Sequence, residues 1–264
     1  MASEVEEKID HLSYSSISSY LNCGYNWKLY YLDLIRPPTA PALLFGRAVH
    51  ETIEDHLRTR QPLIPLWVQH YESLASLEEV EWDSKSSRES LRKDGVRVLS
   101  SPPVQDGIEW IADHYSQQSS TIEREISWTV PGVDVPLIGY IDVITDDGIP
   151  GDFKTAAKMW SEYKADDDVQ SLFYLSGLLA NGIEVPELEF RHYVISKGTF
   201  PDFRMFSRQR TMDEIEWLNN VIRRAWHGMK AGVFLMSPES WKCNSKFCNY
   251  WRLCRGEEWT YEDD

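Results

Sequence analysis

The chain has 264 residues, 42% of them hydrophobic and 26% charged, a profile that suits a globular protein able to bury a substantial core. It has no apolar run of 18 or more residues and opens on the acidic, polar MASEVEEKID, so neither a membrane span nor a signal peptide is expected, and a cytoplasmic location follows, that of the host if the chain is viral. The formal net charge of −15 hides an uneven distribution, −17 over residues 1–190 and +7 over residues 191–255. A basic C-terminal portion could therefore follow a phosphate backbone while the acidic body supplies metal ligands.

The segment from Ser13 to Asp33 opens on hydroxyl residues suited to an N-cap and sets Ile17, Tyr20, Leu21 and Tyr25 at helical spacing, which predicts a helix. After a connector with Pro37, Pro38 and Pro41, a second helix is predicted from Ala42 to Thr59, carrying Gly46, His50 and Glu54. Residues 62–120 read as a helical, polar, covering region broken at Ser100-Ser101-Pro102-Pro103. Ile122 to Val130, Val135 to Thr145 and Gly148 to Lys154 are short, β-branched and separated by turn signals, which predicts a three-stranded meander. An amphipathic helix follows from Asp167 to Asn181, with Asp166 to Asp168 complementing its dipole. Next come a strand from Leu188 to Ser196, with Glu189, Arg191 and Tyr193 on one face, and a helix from Met212 to Lys230. From Trp241 the tail is irregular and bears cysteines. The order predicts an α/β core with a helical addition.

In GYIDVITDDGIPGDFKT the Asp146-Asp147-Gly148 turn brings Asp142 beside a strand that carries Asp152 and Lys154. Residues two apart on a strand share a face, so two carboxylates and a lysine converge. Oxygen ligands of this kind suit a hard divalent cation, and an ammonium beside them suits charge developing on a phosphate. A surface ion pair between Asp152 and Lys154 is the plainer alternative, opposed by the apolar setting of Ile138, Ile141, Val143, Ile144, Ile149 and Phe153. His50, on its own helix, would complete a site favouring Mn²⁺ or Mg²⁺.

The four cysteines are Cys23 and, far along the chain, Cys243, Cys248 and Cys254. In a reducing compartment one distant and three clustered thiolates suggest a metal site, either tetrahedral zinc or an iron–sulfur cluster; four unconnected thiols are the remaining alternative. Paired Cys-x-x-Cys knuckles are missing, and the wide spacing favours the cluster. Trp27, Trp241, Trp251 and Trp259 lie near these cysteines, suited to packing around them or, for one or two, to base stacking. Lys158, Lys164, Arg191, Lys197, Arg223, Arg224, Lys242, Lys246 and Arg252 are candidate phosphate contacts.

SYSSISSYLNC, GRAVH, GYID, DFKT and QSLFY, in that order, resemble the blocks of the RecB-like nucleases of the PD-(D/E)XK superfamily, in particular iron–sulfur members such as AddB-type nuclease domains and the nuclease of CRISPR adaptation. The resemblance implies a restriction-endonuclease-like α/β fold, a central mixed β-sheet flanked by helices. It implies a single nuclease domain over 1–264, with N-terminal helices in 1–60, a helical insertion in 61–120, the nuclease core in 121–210 and a C-terminal helix and cluster-binding tail in 211–264. His50, Asp142 and Asp152, with the Phe153 carbonyl, would hold Mg²⁺ or Mn²⁺. Lys154 would act on the attacking water or the phosphate, and Gln170 and Tyr174 would orient the lysine or the DNA. Cys23, Cys243, Cys248 and Cys254 would hold a 4Fe-4S cluster, with Zn²⁺ the alternative, closing a DNA channel. Relatives commonly carry proline after the first cysteine and two residues between the second and third; Gly24 and a four-residue gap stand there in this chain. The implied activity is that of a DNA exonuclease on single strands or DNA ends, partnered by recombination, helicase or CRISPR-adaptation proteins, in recombination, repair, phage DNA processing or CRISPR adaptation. A DNA-binding iron–sulfur adaptor with little or no nuclease activity is the alternative. No GxxxxGK[ST] phosphate loop occurs, so the chain has no motor of its own.

Overall fold

The computed structural model describes residues 4–82, 86–115 and 121–256. The chain divides into two compact units, one of residues 38–128 and 139–218, the other of residues 1–37, 129–138 and 219–264. Among the described residues no helix is long and apolar enough to cross a membrane.

The chain begins with α1 (Glu4–Lys8), α2 (Tyr14–Asn22) and α3 (Gly24–Trp27), the last running into a π-helical turn over Lys28–Leu32. Ser13 caps α2 by accepting from the Ser16 N–H, as its hydroxyl predicts. The single helix expected as far as Asp33 is broken, because Cys23 is extended, with φ −165°. The physical reason lies just beyond: Tyr25 N–H donates to the Leu235 carbonyl, and a Cβ on Gly24 would stand 3.0 Å from the Leu235 backbone. A contact distant in sequence thus competes with the helical ladder and wins. Trp27 is fully buried and donates from its indole to Ser16 Oγ, which makes it a core residue.

The larger unit is built on α4 (Pro41–Thr59), α5 (Leu63–Leu77), α6 (Arg88–Leu99) and α7 (Pro102–His114), followed by β1 (Ile122–Trp128), β2 (Leu137–Ile144) and β3 (Pro150–Ala156). Then come α8 (Glu162–Asp166), α9 (Gln170–Ala180), β4 (Glu189–Ser196) and β5 (Asp202–Gln209). The five strands form one mixed sheet in the order β1-β2-β3-β4-β5. β2 and β3 are antiparallel, as a tight turn demands, and β4 and β5 are antiparallel as well. β3 and β4 are parallel, pairing Asp152 with His192 and Lys154 with Val194, so the chain must cross over between them and does so through α8 and α9. The α/β fold with a mixed sheet and flanking helices is the one expected.

Residues 62–120 differ from the expected polar cover. Leu63, Leu66, Trp67, Tyr71 and Leu74 of α5, Val98 and Leu99 of α6, and Val104, Ile108 and Ile111 of α7 are buried. Most of them share one cluster with Leu44, Phe45, Val49 and Ile53 of α4 and with Val143, Phe153, Tyr193 and Ile195 of the sheet. The charged residues of this region occupy the outward faces, which gave it a polar average despite an apolar stripe. β5 was not expected either: most of its residues stay partly or fully exposed, as on an edge strand, so Arg204 and Arg208 interrupt any apolar alternation. The remaining long helix, α10 (Met212–Lys230), has the predicted bounds, and the cysteine-bearing tail is irregular apart from the turn α11 (Trp251–Cys254).

The contact between α5 and α6 gives a stability test. A Cβ on Gly95 would fall 2.0 Å from two carbons of the Trp67 ring. Glycine-to-alanine inside a helix normally gains up to about 1 kcal/mol, but overpacking costs about 1–3 kcal/mol. Gly95→Ala is expected to lower stability, read as a reduced denaturant midpoint at unchanged slope.

Candidate active site

Asp142, Asp152 and Lys154 come together at the β2–β3 hairpin. The ladder pairs Ile144 with Pro150 and Val143 with Gly151. One step further, the Phe153 N–H donates to Asp142 Oδ2 at 2.6 Å, so a carboxylate takes a strand amide. Asp142 and Asp152 are 7% and 3% exposed. Period-two geometry sends Phe153 into the core and Asp152 and Lys154 to the other face, where the ammonium contacts Asp152 Oδ2. Asp152 is buried and Lys154 partly so, unlike the surface pair that a lone Asp-x-Lys triplet suggests.

The GRAVH and GYID blocks supply the walls. In α4 a Cβ on Gly46 would meet Thr155 Oγ1 at 3.3 Å, so glycine lets the helix approach β3 closely. His50, one turn later, stands with Nδ1 3.4 Å from Asp142 Oδ2, edge-on to the Phe153 ring and hydrogen-bonded to the Phe153 backbone. Gly139, at the start of GYID, lies where a Cβ would be 3.2 Å from the Tyr174 ring.

Ligand atoms of His50, Asp142 and Glu123 all lie within 4.8 Å of one another. Glu123 was missed in the sequence. Strict strand alternation would give Glu123 and Glu125 one face; instead Glu125 accepts from the exposed Tyr140 hydroxyl while Glu123, in a left-handed conformation with φ 49°, joins the site. That backbone angle is uncommon outside glycine and leaves no mark in a single sequence. Asp152 stands beside this trio, turned toward Lys154, and its Oδ2 has no well-directed hydrogen bond despite being buried.

The electrostatics describe an excess of negative charge out of water. Burial, then Asp152, pushes the Asp142 carboxyl well above its ordinary range. Burial, Asp142 and Glu54 raise Glu123 to about 7. Burial lowers His50, keeping its imidazole neutral and able to donate a lone pair to a metal. Burial works against the Lys154 ammonium, but Asp152, Asp142 and Asp168 outweigh it and hold its pKa above the usual lysine value. The buried oxygens, the neutral imidazole and the crowded carboxylates fit a divalent cation, which would relieve their repulsion.

α9 holds the lysine from the far side. Lys154 Nζ donates to Gln170 Oε1 at 2.7 Å, and Gln170 Nε2 donates to the Tyr174 hydroxyl at 2.9 Å, residues four apart on one helix face. The N-terminus of α9 is fastened in turn. Asp168 Oδ2 accepts from Ser171 N–H at 3.2 Å and lies 3.0 Å from Nε2 of His192, which is buried on β4 beside Asp152. Burial would raise Asp168, yet the bond and charge of His192, followed by Lys154, bring its carboxyl below the usual range. Arg210 adds bonds to the carbonyls of Ala165, Asp166 and Asp168. Of the expected acidic run, Asp168 thus acts as the cap while Asp166 closes α8. Arg191, a candidate phosphate contact, instead clamps the hairpin turn through Asp147 and Thr145.

In the other unit Cys23, Cys243, Cys248 and Cys254 are all free thiols, partly buried. They gather into one neighbourhood: burial raises Cys248, with Cys23 and Cys243 adding to it, and Cys254 is raised by burial with contributions from the other three. No three of these sulfurs converge within 4.8 Å.

The chain matches the model of the PD-(D/E)XK nuclease superfamily over residues 11–255. It belongs to that superfamily, a family of nucleases that use divalent metals. A solved structure from Eubacterium rectale, described as a presumptive exonuclease, is similar at 13% identity with a TM-score of 0.60, covering 98% of this chain and 92% of that one. A solved structure of SSO0001 covers 86% of this chain and 92% of its own at 12% identity, with a TM-score of 0.37, too low to carry an argument. No curated protein matches the chain.

Glu123 gives the site a pH signature. A carboxyl whose folded pKa is raised binds its proton more tightly when folded, so the metal-free protein loses stability as pH rises from the unfolded value of about 4.5 through about 7. A cation must displace that proton below pH 7. Mn²⁺ is therefore expected to raise the melting temperature more at pH 8 than at pH 6, and Glu123→Gln to flatten the difference, as read by thermal unfolding with and without metal.

Proposed function

We propose that this chain is a metal-dependent deoxyribonuclease of the RecB-like branch, an exonuclease acting on single strands or DNA ends. The observation that carries the reading is the buried Asp142 and Asp152 beside the partly buried Lys154, with His50 and Glu123 gathered on Asp142 and Gln170 gripping the lysine. A divalent cation held by His50, Asp142 and Asp152, with Glu123 and the Phe153 carbonyl beside them, would supply Lewis acidity at a phosphodiester and acidify a bound water. Lys154, its pKa raised, stays protonated at neutral pH. It offers a positive charge to the phosphate in an in-line displacement. Gln170 and Tyr174 aim it through their hydrogen-bonded chain. DNA is the partner, with recombination, helicase or CRISPR-adaptation proteins as the company such an enzyme keeps, in recombination, repair, phage DNA processing or CRISPR adaptation. The solved structure from Eubacterium rectale, described as a presumptive exonuclease, accords with this reading.

With Mg²⁺ or Mn²⁺, labelled single-stranded DNA is expected to be degraded. Lys154→Met and Asp152→Asn each lower the rate by about 10²–10³-fold, and Gln170→Ala by about tenfold. Binding without cleavage in either metal would establish the adaptor reading in its place.

The four thiols are proposed to hold a 4Fe-4S cluster. The one-plus-three spacing of these cysteines, without paired Cys-x-x-Cys knuckles, favours the cluster over zinc. Anaerobically purified protein is expected to be brown with broad absorbance near about 400 nm, and Cys248→Ser to bleach it; a colourless protein with stoichiometric zinc overturns the assignment.

A further inference from the structure

The tail between the cysteines has a composition unlike the rest of the chain. Residues 240–256 carry Lys242, Lys246, Arg252 and Arg255 and no carboxylate, in a chain of net charge −15. Of the four aromatic side chains in the same stretch, two are largely left in water: Trp241 is 70% exposed and Phe247 53%, whereas Tyr250 is buried. The Trp241 and Phe247 centroids lie 5.5 Å apart at 71°, an edge-on pair that buries little of either ring. Each of these two has a cation beside it, Lys242 Nζ 5.5 Å from the Trp241 ring and Lys246 Nζ 5.4 Å from Phe247, and Arg255 Cζ lies 3.0 Å from Trp251.

We infer that this tail is a binding site for single-stranded nucleic acid, in which Trp241 and Phe247 stack on bases while Lys242 and Lys246 meet the intervening phosphates. Exposed aromatic surface is costly unless something covers it. Rings alternating with cations match the alternation of base faces and phosphates along a strand. A duplex offers few base faces, since its bases are already stacked, whereas every base of a single strand presents one. An acidic peptide would satisfy the cations and leave the rings in water. The inference rests on the nuclease reading for its choice of polymer and narrows that reading to the single strand.

The test is fluorescence anisotropy of labelled oligothymidylate against the anaerobically purified full chain in EDTA, where no cleavage interferes. Wild type is expected to bind it more tightly than a duplex of equal length. Trp241→Ala and Phe247→Ala should each weaken binding about tenfold, within the range for one stacked base, while Trp241→Phe retains most of the affinity. Lys242→Gln combined with Lys246→Gln should reduce the slope of log affinity against log salt by about 1.4, two phosphate contacts at about 0.7 each. The slope keeps the test decisive if an aromatic variant unfolds. Unchanged affinity in folded alanine variants together with an unchanged salt slope overturns the inference, as does a preference for duplex or binding confined to anionic vesicles. Cleavage with Mg²⁺ is scored separately, so loss of the nuclease reading leaves the binding result standing, and the reverse.

Discussion

The contact between the Lys154 ammonium and the buried Asp152 carboxylate, largely withdrawn from water, is the constraint on which the rest of the larger unit depends. Removing two charges from solvent costs several kcal/mol apiece, and their attraction alone repays this only when further polar groups complete the arrangement. Gln170 Oε1 accepts a hydrogen bond from the ammonium, and Asp142 and Asp168 add their fields. The same surroundings leave the carboxylates too numerous for one lysine. Burial first, and then that surplus, raises the pKa values of Asp142 and Glu123, and one further positive charge would balance the surplus.

The scaffold answers the need for fixed geometry. Phe153, between the two functional residues of β3, sits in the cluster formed by α4–α7, so the strand cannot rotate its polar face without withdrawing a core side chain. Parallel pairing of β3 with β4 places His192 next to Asp152 and obliges the chain to cross over, and the crossover is the segment that delivers Gln170 and Tyr174. One topological choice thereby supplies both the floor of the site and the helix that holds its lysine.

Much of this was legible in the sequence, for reasons that differ from residue to residue. Asp152 and Lys154 followed from a period of two, and Asp142 from the turn that folds its strand back. Gln170 and Tyr174 came from resemblance, and helical spacing then explains why they bond to each other. Glu123 was hidden because its place depends on a left-handed backbone inside a strand. β5 was hidden because an edge strand owes its pairing to its neighbour and not to an apolar pattern of its own. The break at Cys23 and the burial of the apolar stripes of α5, α6 and α7 were tertiary outcomes. One was decided by the Leu235 carbonyl, the other by stripes that an averaged composition conceals.

The bonds around Asp168 close a circuit. From Lys154 one passes to Gln170, back along the start of α9 to Asp168, across to His192, and through the sheet to β3 again. A closed circuit of short links has few soft modes, because moving any member stretches a bond elsewhere in the ring. In the proposed reaction the lysine's position would thus be set before a phosphate arrives, leaving little reorganisation energy to be spent. Mechanical stiffness in this small ring, assembled from a helix cap and a strand pairing, would then bear on the barrier's height.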